Sequence, residues 1–385
     1  MCIVTTANSN LMECRPKADG MPSKSSMNIV DFTQPRREHL FVMPSFLRTW
    51  VRDTLLRRKD ERNLSIFLVG LNILTTSVPF AFSLFYFEHN QTLSTNAFFA
   101  LGAAYFVYHL KVFARSFMLA LHYITHCSIF NLRFRILDHI FTSFLCNFFG
   151  IPPGLYYPHH IGMHHAMDNV APKDMSSTMD YRRGSKWNHF KYMVRFVMFG
   201  SFELPYRLST MKKWNLVAQC VTGVTIFWGI MAMLSQYYPL STFFVMYAPW
   251  MTVSFGLMQG NFKEHVFVDP DDHENNYKSA FTCINAPSNA LTFNTGYHIE
   301  HHEEPGLPWY QLPELFLKNI KKHAENDSFV FNGIGSMEVG TLVLNGKFEE
   351  LADYYHNIGQ PKRTREELIA EFKRRLTPVY PSLTE

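Results

Sequence analysis

The sequence predicts an all-α integral membrane protein with four transmembrane helices in two hairpins and a cytosolic helical cap that holds a metal site. Hydrophobic residues make up 47% of the 385 positions, and they concentrate in two long regions, each interrupted once by a short turn segment. About 20 apolar residues suffice for a helix to cross the hydrocarbon core of a bilayer. The histidines cluster outside these regions, and two hairpins bring all of the clusters to one side of the membrane.

The first predicted hairpin runs from Leu64 to Phe87 and returns from Ala97. A basic run from Arg48 to Arg62 precedes it, whereas the connecting loop 88–96 contains no Lys or Arg. Basic residues mark the cytoplasmic side of a membrane span. We therefore expect this hairpin to begin and end in the cytosol, with its tip on the opposite side.

The second predicted hairpin runs from Leu216 to Gln236 and from Leu240 to Gly260. Its turn, Tyr237-Tyr238-Pro239, carries no charge, so this tip too faces away from the basic side. The chain divides into a disordered segment 1–47, a membrane domain 48–309, and a cytosolic tail 310–385 packed on the cap. Within the tail, Thr364 and Glu367 have the spacing of a capping box that begins a helix.

The second span carries polar residues towards its end. On an ideal helix Lys111, Arg115, His122 and His126 fall within about 60° of one another. A charged stripe facing lipid is costly, so we expect this face to point into the protein or to lie beyond the membrane. For His122 and His126 viewed alone, two core histidines at helical spacing remain the alternative.

Four short segments of the chain contain the candidate metal-binding residues. The strongest lies at 294–302, where three imidazoles at i, i+3 and i+4 share one face of a helix; a solvated polar turn is the alternative for this cluster alone. At 159–165 we select His160 over His159, which fits the common helical face poorly. The candidate metal-binding residues are His122, His126, His160, His164, His165, Asn261, His265, His298, His301 and His302.

Nine histidines are too many for one metal, because transition ions take about four to six ligands. A pair of metals is the natural stoichiometry. An all-imidazole shell without carboxylates suits Fe, Zn or Cu and disfavours Mg or Ca.

As an ordered set around two apolar hairpins, the motifs HxxxH (His122, His126), HxxxHH (His160, His164, His165), NxxxH (Asn261, His265) and HxxHH (His298, His301, His302) resemble the integral-membrane fatty acid desaturase and hydroxylase superfamily. The resemblance covers most of the chain from about Leu64 to Trp309. It implies two non-haem iron ions held by the nine histidines, with Asn261 filling one further position through a water molecule. The first and second motifs depart from the spacing of the acyl-CoA desaturases, which argues against that branch.

The resemblance implies O2-dependent desaturation of a fatty acyl or related lipid chain, with hydroxylation, epoxidation or decarboxylation as oxidative alternatives. The chain lacks a GxGxxG nucleotide motif and the HPGG signature of a fused haem domain. We therefore expect an external electron donor, such as cytochrome b5 with its reductase or ferredoxin. We expect the endoplasmic reticulum membrane if the source is eukaryotic. No nucleic-acid motif is present, and a zinc-binding membrane receptor or transporter is the non-enzyme alternative.

Charged residues near the motifs supply two further hypotheses. Carboxylates beside the histidines can fix the imidazole tautomers, and five are candidates: Asp168, Asp174, Glu264, Glu300 and Glu303. For each of them a surface ion pair is an equal alternative. The segment Arg182, Arg183, Lys186 and Trp187 can meet a lipid head group or CoA phosphates, although we favour contact with the membrane surface.

Overall fold

The structure, a computed structural model, describes residues 29–32, 40 and 43–380. Helices dominate this part of the chain, as predicted for an all-α protein. Two three-residue strands, Thr282–Ile284 and Val330–Asn332, pair in parallel inside the cap. The sequence analysis did not contain this pair, because three residues are too few to show a strand period.

Four helices in the described part of the chain are long and apolar enough to cross a membrane. We call them the first to fourth spans: Glu61–Asn90, Thr95–His126, Trp214–Tyr237 and Pro239–Glu264. Each begins and ends within a few residues of its prediction, apart from the C-terminal end of the second span, which continues through the histidines. The protein is therefore a multi-pass membrane protein. Single π-helical turns interrupt three spans, at Ile73–Ser77, Leu110–Ala114 and Phe243–Tyr247.

The two hairpin tips are tied together. The Glu88 carboxylate, at the end of the first span, accepts hydrogen bonds from the backbone N–H groups of Leu240 at 3.0 Å and Ser241 at 2.8 Å. These are otherwise unpaired donors of the first turn of the fourth span. Because both tips lie at this end, the other ends of all four spans lie on the opposite side, where the cap and the histidines are.

The predicted polar stripe of the second span divides into two parts. Lys111 and Arg115 are exposed, whereas His122 and His126 are buried. The π-helical turn at Leu110–Ala114 changes the helical phase between Lys111 and the later residues. Arg115 shares the regular helix Arg115–His126 with the histidines but lies two turns before them, so only the histidines are buried in the cap.

Close packing holds the segment before the second histidine motif against the spans. A Cβ atom at Gly223 of the third span would lie 1.7 Å from the Pro153 carbonyl oxygen. Gly150 has a φ of +69°, and a Cβ there would lie 2.0 Å from the Trp250 Cα atom. Only glycine allows these approaches, and they bring residues 150–155 across the spans so that the following turn enters the cap.

A long amphipathic helix, Lys186–Thr210, lies beside the spans and is called the surface helix below. Its N-cap is Ser185, whose side chain accepts from the Asn188 N–H. Its outer face is strongly apolar, with exposed side chains Trp187, Phe190, Met198, Phe199, Phe202 and Tyr206. Such a face fits the boundary between lipid head groups and acyl chains.

The remaining cap is made of short helices joined by tight turns. The α-helices outside the spans are Ser45–Trp50, Tyr156–His159, His165–Met167, Lys186–Thr210, Asn276–Ser279, His298–Glu303, Leu312–Glu325, Ser336–Leu344, Phe348–Ala352 and Arg365–Arg374. The last of these begins at the predicted capping box, in which Thr364 and Glu367 bond each other's backbone N–H groups. Its Phe372 packs with Phe267 and Phe329, so the tail shares one apolar core with the cap.

Most of the segment 1–47 that we predict to be disordered, namely residues 1–28, 33–39, 41 and 42, lies outside the described residues. Within it, Asp31 contacts the cap, where its carboxylate accepts from the Tyr297 hydroxyl at 2.5 Å and the Asn285 N–H at 2.6 Å. One prediction for a polar segment requires correction. Arg183 does not meet a head group, because it is fully buried. Its guanidinium donates to backbone carbonyls of three segments, among them Val266 at 3.1 Å and Thr377 at 2.6 Å.

Candidate metal centre

Nine histidine side chains converge in the cap in two groups. Within each group, one ring nitrogen from every member lies within 4.8 Å of the others. The first group contains His122, His126, His160, His165 and His301, and the second contains His164, His265, His298 and His302. These are the nine histidines selected from the sequence. All but His165, which is half-buried, are buried.

In the first group the Nε2 atoms face one another. The His122 and His301 Nε2 atoms are 2.8 Å apart. The His160 Nε2 atom lies 2.8 Å from that of His126 and 3.1 Å from that of His165. One ring nitrogen carries either a single hydrogen or a single lone pair, so pairwise hydrogen bonds cannot satisfy all five nitrogens. A cation at the shared point satisfies all of them, and the donor set therefore fits a metal ion.

In the second group the opposite ring nitrogens are held by oxygen acceptors. His164 Nδ1 lies 2.7 Å from Asp174 Oδ2, and His265 Nδ1 lies 2.9 Å from the Ser279 carbonyl oxygen. His302 Nδ1 faces Asp168 Oδ1 at 3.4 Å. A proton on Nδ1, donated to oxygen, leaves the Nε2 lone pair free to bind a metal. Glu264 stands 3.8 Å from His298 Nδ1, beyond hydrogen-bond distance.

The first group lacks this support in the described part of the chain. The Nδ1 atoms of His126, His165 and His301 are buried and have no hydrogen-bond partner there. The two groups thus differ in the number of their histidines and in whether oxygen acceptors hold the Nδ1 protons.

The two groups lie side by side because residues adjacent in the sequence contribute to both groups. The ring centroids of His165 and His302, which belong to different groups, are 4.6 Å apart. In His164-His165 and in His301-His302, one histidine of each adjacent pair enters each group. Two metals held in this way would occupy one dinuclear centre.

Local helix geometry decides this division. Residues His160–His164 form a π-helical turn, whose wider winding brings His160 and His165, five positions apart, into the same group. In the helix His298–Glu303, His298 and His302 are four positions apart and join the second group, while His301 turns to the first. The triplet therefore contributes rings to both groups, a division that its spacing alone does not predict.

Burial favours the neutral form of six of these imidazoles. It lowers the pKa of His160, His165 and His301 well below the ordinary value, and neighbouring imidazoles lower the pKa further. Burial also dominates the lowered pKa values of His265, His298 and His302. Neutral imidazole is the form that binds metals.

Asp174 behaves differently. Burial would raise the pKa of this carboxyl group, but its interactions with the His164 and His159 rings and with the Ser176 hydroxyl outweigh burial, so the pKa is lowered. Asp174 is therefore an ionised acceptor for His164.

A cavity of about 440 Å³ reaches the histidines from the membrane side. Its apolar part lies among the second span, the fourth span and the surface helix, with side chains such as Leu110, Leu119, Val253 and Leu204. His122, His160, His164 and His298 line the same cavity. Its volume is within the range of ligand pockets, and its long apolar lining suits a hydrocarbon chain.

Comparison with known proteins decides the family. The fatty acid desaturase family model matches residues 94–330, which include all nine histidines. The chain belongs to the fatty acid desaturase family. Membership and the histidine groups together indicate metal binding.

Two curated relatives of this desaturase-family protein are sphingolipid enzymes by name. It is 26% identical to the sphingolipid delta(4)-desaturase/C4-monooxygenase of Rattus norvegicus over 51% of the chain and 59% of that protein. It is 25% identical to the sphingolipid delta(4)-desaturase of Candida albicans over 56% of the chain and 65% of that protein. The chain thus spans about three fifths of the length of these relatives. No solved structure matches it.

The desaturase-family resemblance assigned a water-mediated role to Asn261, and the structure shows where this amide lies. Its Nδ2 atom donates to the Ser176 carbonyl at 3.0 Å and to the Tyr192 hydroxyl at 2.6 Å. Asn261 lines the cavity beside His164 and Glu264. His265, predicted to continue the same helical face, follows the last helical residue and has non-helical φ and ψ values of −110° and 31°.

Other candidates fall outside the groups. His159 lies against the Phe196 ring, with centroids 5.3 Å apart, and belongs to neither group. Glu303 accepts from Asn276. Glu300 pairs with His323 at 2.5 Å, a buried histidine that the sequence analysis did not select, since it stands alone on an amphipathic helix.

Proposed function

We propose that this protein introduces a double bond into the hydrocarbon chain of a membrane lipid, using two non-haem iron ions held by the nine histidines. One observation carries the proposal: two adjacent groups of imidazoles lie at the inner end of an apolar cavity of about 440 Å³. Family membership and the names of the two sphingolipid desaturase relatives support the same reaction class.

The donor chemistry favours iron. All nine candidate ligands are imidazoles, and Mg or Ca would require oxygen ligands. When bound, a pair of iron ions supplies the activation of O2 that removal of hydrogen from an unactivated methylene requires. Of the ions that suit an all-imidazole shell, zinc has no redox chemistry, and the family resemblance favours iron over copper.

The residues of the chain have three tasks. Four of the histidines line the cavity, so that a lipid chain in the cavity passes beside the metal centre. They are His122, His160, His164 and His298. The apolar side chains of the second and fourth spans exclude water and fix the position of the chain. Asp174 and the Ser279 carbonyl hold ring protons of the second group and keep the Nε2 atoms directed inward.

Desaturation removes two hydrogens from adjacent carbons while O2 is reduced to two water molecules. The balance requires two electrons and two protons from outside. An external donor such as cytochrome b5 with its reductase, or ferredoxin, would supply the electrons.

Hydroxylation of the lipid chain is the second candidate reaction, and one comparison supports it. The name of the Rattus norvegicus relative includes a C4-monooxygenase beside a desaturase. The same centre and cavity serve both outcomes, because the choice depends on whether a second hydrogen is removed or oxygen is transferred to carbon.

We further propose that the centre faces the cytosol, in the endoplasmic reticulum of a eukaryotic source. The basic run at Arg48–Arg62 lies on the side of the cap, and the tips at 91–94 and around Tyr238 carry no Lys or Arg. This asymmetry is that of cytoplasmic and opposite faces.

The test is expression in a host with defined lipids, followed by mass spectrometry of the lipid extract and metal analysis of the purified protein. Desaturation predicts lipids lacking two hydrogens, whereas hydroxylation predicts one added oxygen. Two irons per chain support the centre. Zinc without oxygen consumption, together with unchanged lipids, would overturn the proposal in favour of a zinc-binding receptor or transporter.

A further inference from the structure

A basic turn, Arg57–Lys59, precedes the first span on the side of the cap. The segment 48–62 around it contains six basic and three acidic residues, a net charge of +3. Arg58 and Lys59 are exposed and have positive φ values of 62° and 50°, which residues with a side chain rarely adopt. The Arg57 N–H donates to the Ile129 carbonyl at 2.7 Å. The turn is therefore fastened to the segment that follows the second span, with two cationic residues at the surface.

A narrow crevice of about 20 Å³ lies beside this turn. Among the described residues that line it, the charged ones are Arg57 and Arg58, and the aromatic ones are Tyr123, Trp309 and Tyr310. The crevice holds about one water molecule, so neither a lipid chain nor a nucleotide cofactor can enter it. A partner of this site can contact only the rim.

A row of aromatic rings leads from this rim to the first histidine group. We call Trp309, Phe293 and Tyr123 the aromatic path. The Trp309 and Phe293 ring centroids are 5.4 Å apart, and those of Phe293 and Tyr123 are 6.1 Å apart. Tyr123 in turn lies 5.0 Å from the His122 ring and 5.9 Å from the His301 ring. Electron tunnelling is weaker across empty space than through packed atoms, so this row favours transfer between the rim and the metal centre.

Two polar atoms on the aromatic path are buried without a hydrogen bond. They are the Trp309 Nε1 atom and the Tyr123 hydroxyl, and neither has a partner in the described part of the chain. Buried polar groups normally have one, so what each side chain contributes here is its ring. Without an acceptor for the proton, neither ring is suited to proton-coupled oxidation, and we expect tunnelling through the rings.

The charge of the rim selects the partner. A basic surface steers and orients a protein with an acidic face, and electron-transfer partners form small, weak contacts of the kind that a rim allows. An anionic lipid surface also attracts basic residues. Contact with lipid gives no role to rings that connect the rim with the histidines, so a redox protein accounts for more of the structure.

We propose that the crevice rim, with Arg57, Arg58 and Trp309, is the docking site of an acidic one-electron redox protein, and that the aromatic path carries its electrons to the first histidine group. Each transfer oxidises the donor cofactor by one electron and reduces the metal centre by one electron, and no bond forms or breaks. Two transfers supply the two electrons that desaturation requires. The inference rests on the proposed function for the redox-active metals, whereas docking is measured without turnover.

Docking is measured with the purified, iron-loaded full chain in nanodiscs of phosphatidylcholine, which has no net charge. The probe is a soluble, acidic haem domain of cytochrome b5 in its oxidised form. Arg58→Glu should weaken binding about tenfold or more, because it sets like charges against each other, and added salt should weaken binding to the unsubstituted protein. Lys362→Glu is the matched control, the same charge change at an exposed residue of the tail.

Two results of this titration would overturn the docking site. One is equal affinity of the haem domain for Arg58→Glu and for the unsubstituted protein. The other is a loss that appears only when anionic lipid is added to the nanodiscs, which would assign the basic turn to the membrane surface.

Transfer is measured separately, by mixing the reduced haem domain at saturating concentration with the oxidised protein, without oxygen or lipid substrate. The rate of haem oxidation is followed by its absorbance. Trp309→Leu should lower this limiting rate at least severalfold at unchanged iron content, because it removes a ring of the aromatic path. Trp309→Phe retains a ring and should restore most of the rate. Trp228→Leu is the matched control, since it removes a half-buried tryptophan packed on Trp250 away from the crevice.

The outcomes separate the inference from the proposed function. A limiting rate that Trp309→Leu leaves unchanged, or a haem that stays reduced although dithionite reduces the metal centre, overturns the inference even if lipids are desaturated. Weaker docking of Arg58→Glu together with slower transfer in Trp309→Leu supports it even if no lipid product forms, and then only the proposed reaction fails. A centre that dithionite does not reduce overturns both proposals.

Discussion

His164 and Asp174 form a buried pair at the centre, with Nδ1 and Oδ2 2.7 Å apart and both side chains almost completely shielded from solvent. Asp174 also accepts from the Ser176 N–H at 2.8 Å and from the Ser176 hydroxyl at 2.7 Å. The carboxylate therefore has a fixed orientation, and it fixes the tautomer of an imidazole that belongs to the second group.

The first prediction concerns this pair. Asp174→Asn replaces an ionised acceptor with an amide and should lower metal affinity about 10- to 100-fold, the usual effect of removing a partner of a ligating histidine. The measurement is iron content after dialysis against graded chelator concentrations. Asp168→Asn is the control, because Asp168 is farther from its histidine at 3.4 Å and its side chain is 38% exposed. Equal loss of iron in both variants would show that Asp174 has no special role.

Sequence reasoning predicted the spans and the nine histidines because each depends on local composition. A run of about 20 apolar residues specifies a span wherever the rest of the chain lies. Histidines four apart, such as His122 and His126, face one side of any helix.

The division into two groups was not predictable in the same way. It depends on the π-helical turn at His160–His164, which pairs His160 with His165, and no simple residue pattern marks such a turn. Arg183 was also misjudged, because an arginine in a basic segment resembles a surface residue. Its carbonyl partners come from segments as distant as Thr377, and only the tertiary structure brings them together.

The second prediction separates two adjacent histidines. His160→Ala removes a ring whose Nε2 lies 2.8 Å from His126 Nε2, and it should abolish lipid product. His159→Ala removes a ring packed on Phe196 and should retain most of the activity. His301→Ala should behave like His160→Ala, and lipid mass spectrometry at matched expression measures all three. A greater loss in His159→Ala than in His160→Ala would reverse the assignment.

The third prediction concerns the buried guanidinium of Arg183, whose NH2 atom donates to the Arg375 carbonyl at 3.1 Å and to the Thr377 carbonyl at 2.6 Å. Arg183→Met also removes the donor to the carbonyls of the buried residues Val266 and Val268, and each unsatisfied group costs about 1–3 kcal/mol. We expect the thermal midpoint in detergent to fall by about 5 °C or more. Arg182→Met is the matched control, because Arg182 is exposed. A similar midpoint in both variants would contradict the structural role.

The last prediction concerns the pH dependence of stability through Asp138, a residue of the segment between the second span and the second histidine motif. Burial raises the pKa of this carboxyl group from 3.8 to about 6, although Ser128, Arg135 and Arg57 act in the opposite direction. Its Oδ1 atom is buried and has no hydrogen-bond partner in the described part of the chain.

A carboxyl group with a raised pKa in the folded state holds its proton longer than in the unfolded state. Its effect therefore lowers stability as the pH rises from about 4 to about 6, and the full cost persists above that range. Asp138→Asn has no charge to bury, so its thermal midpoint should exceed that of the unsubstituted protein by more at pH 8 than at pH 5. Asp53→Asn is the control, because the hydrogen bond from Arg52 lowers the pKa of Asp53; Asp53 is ionised at both pH values, so the effect of this substitution should be the same at pH 5 and pH 8. An advantage of Asp138→Asn that is equal at both pH values would show that ionisation of Asp138 is not its cause.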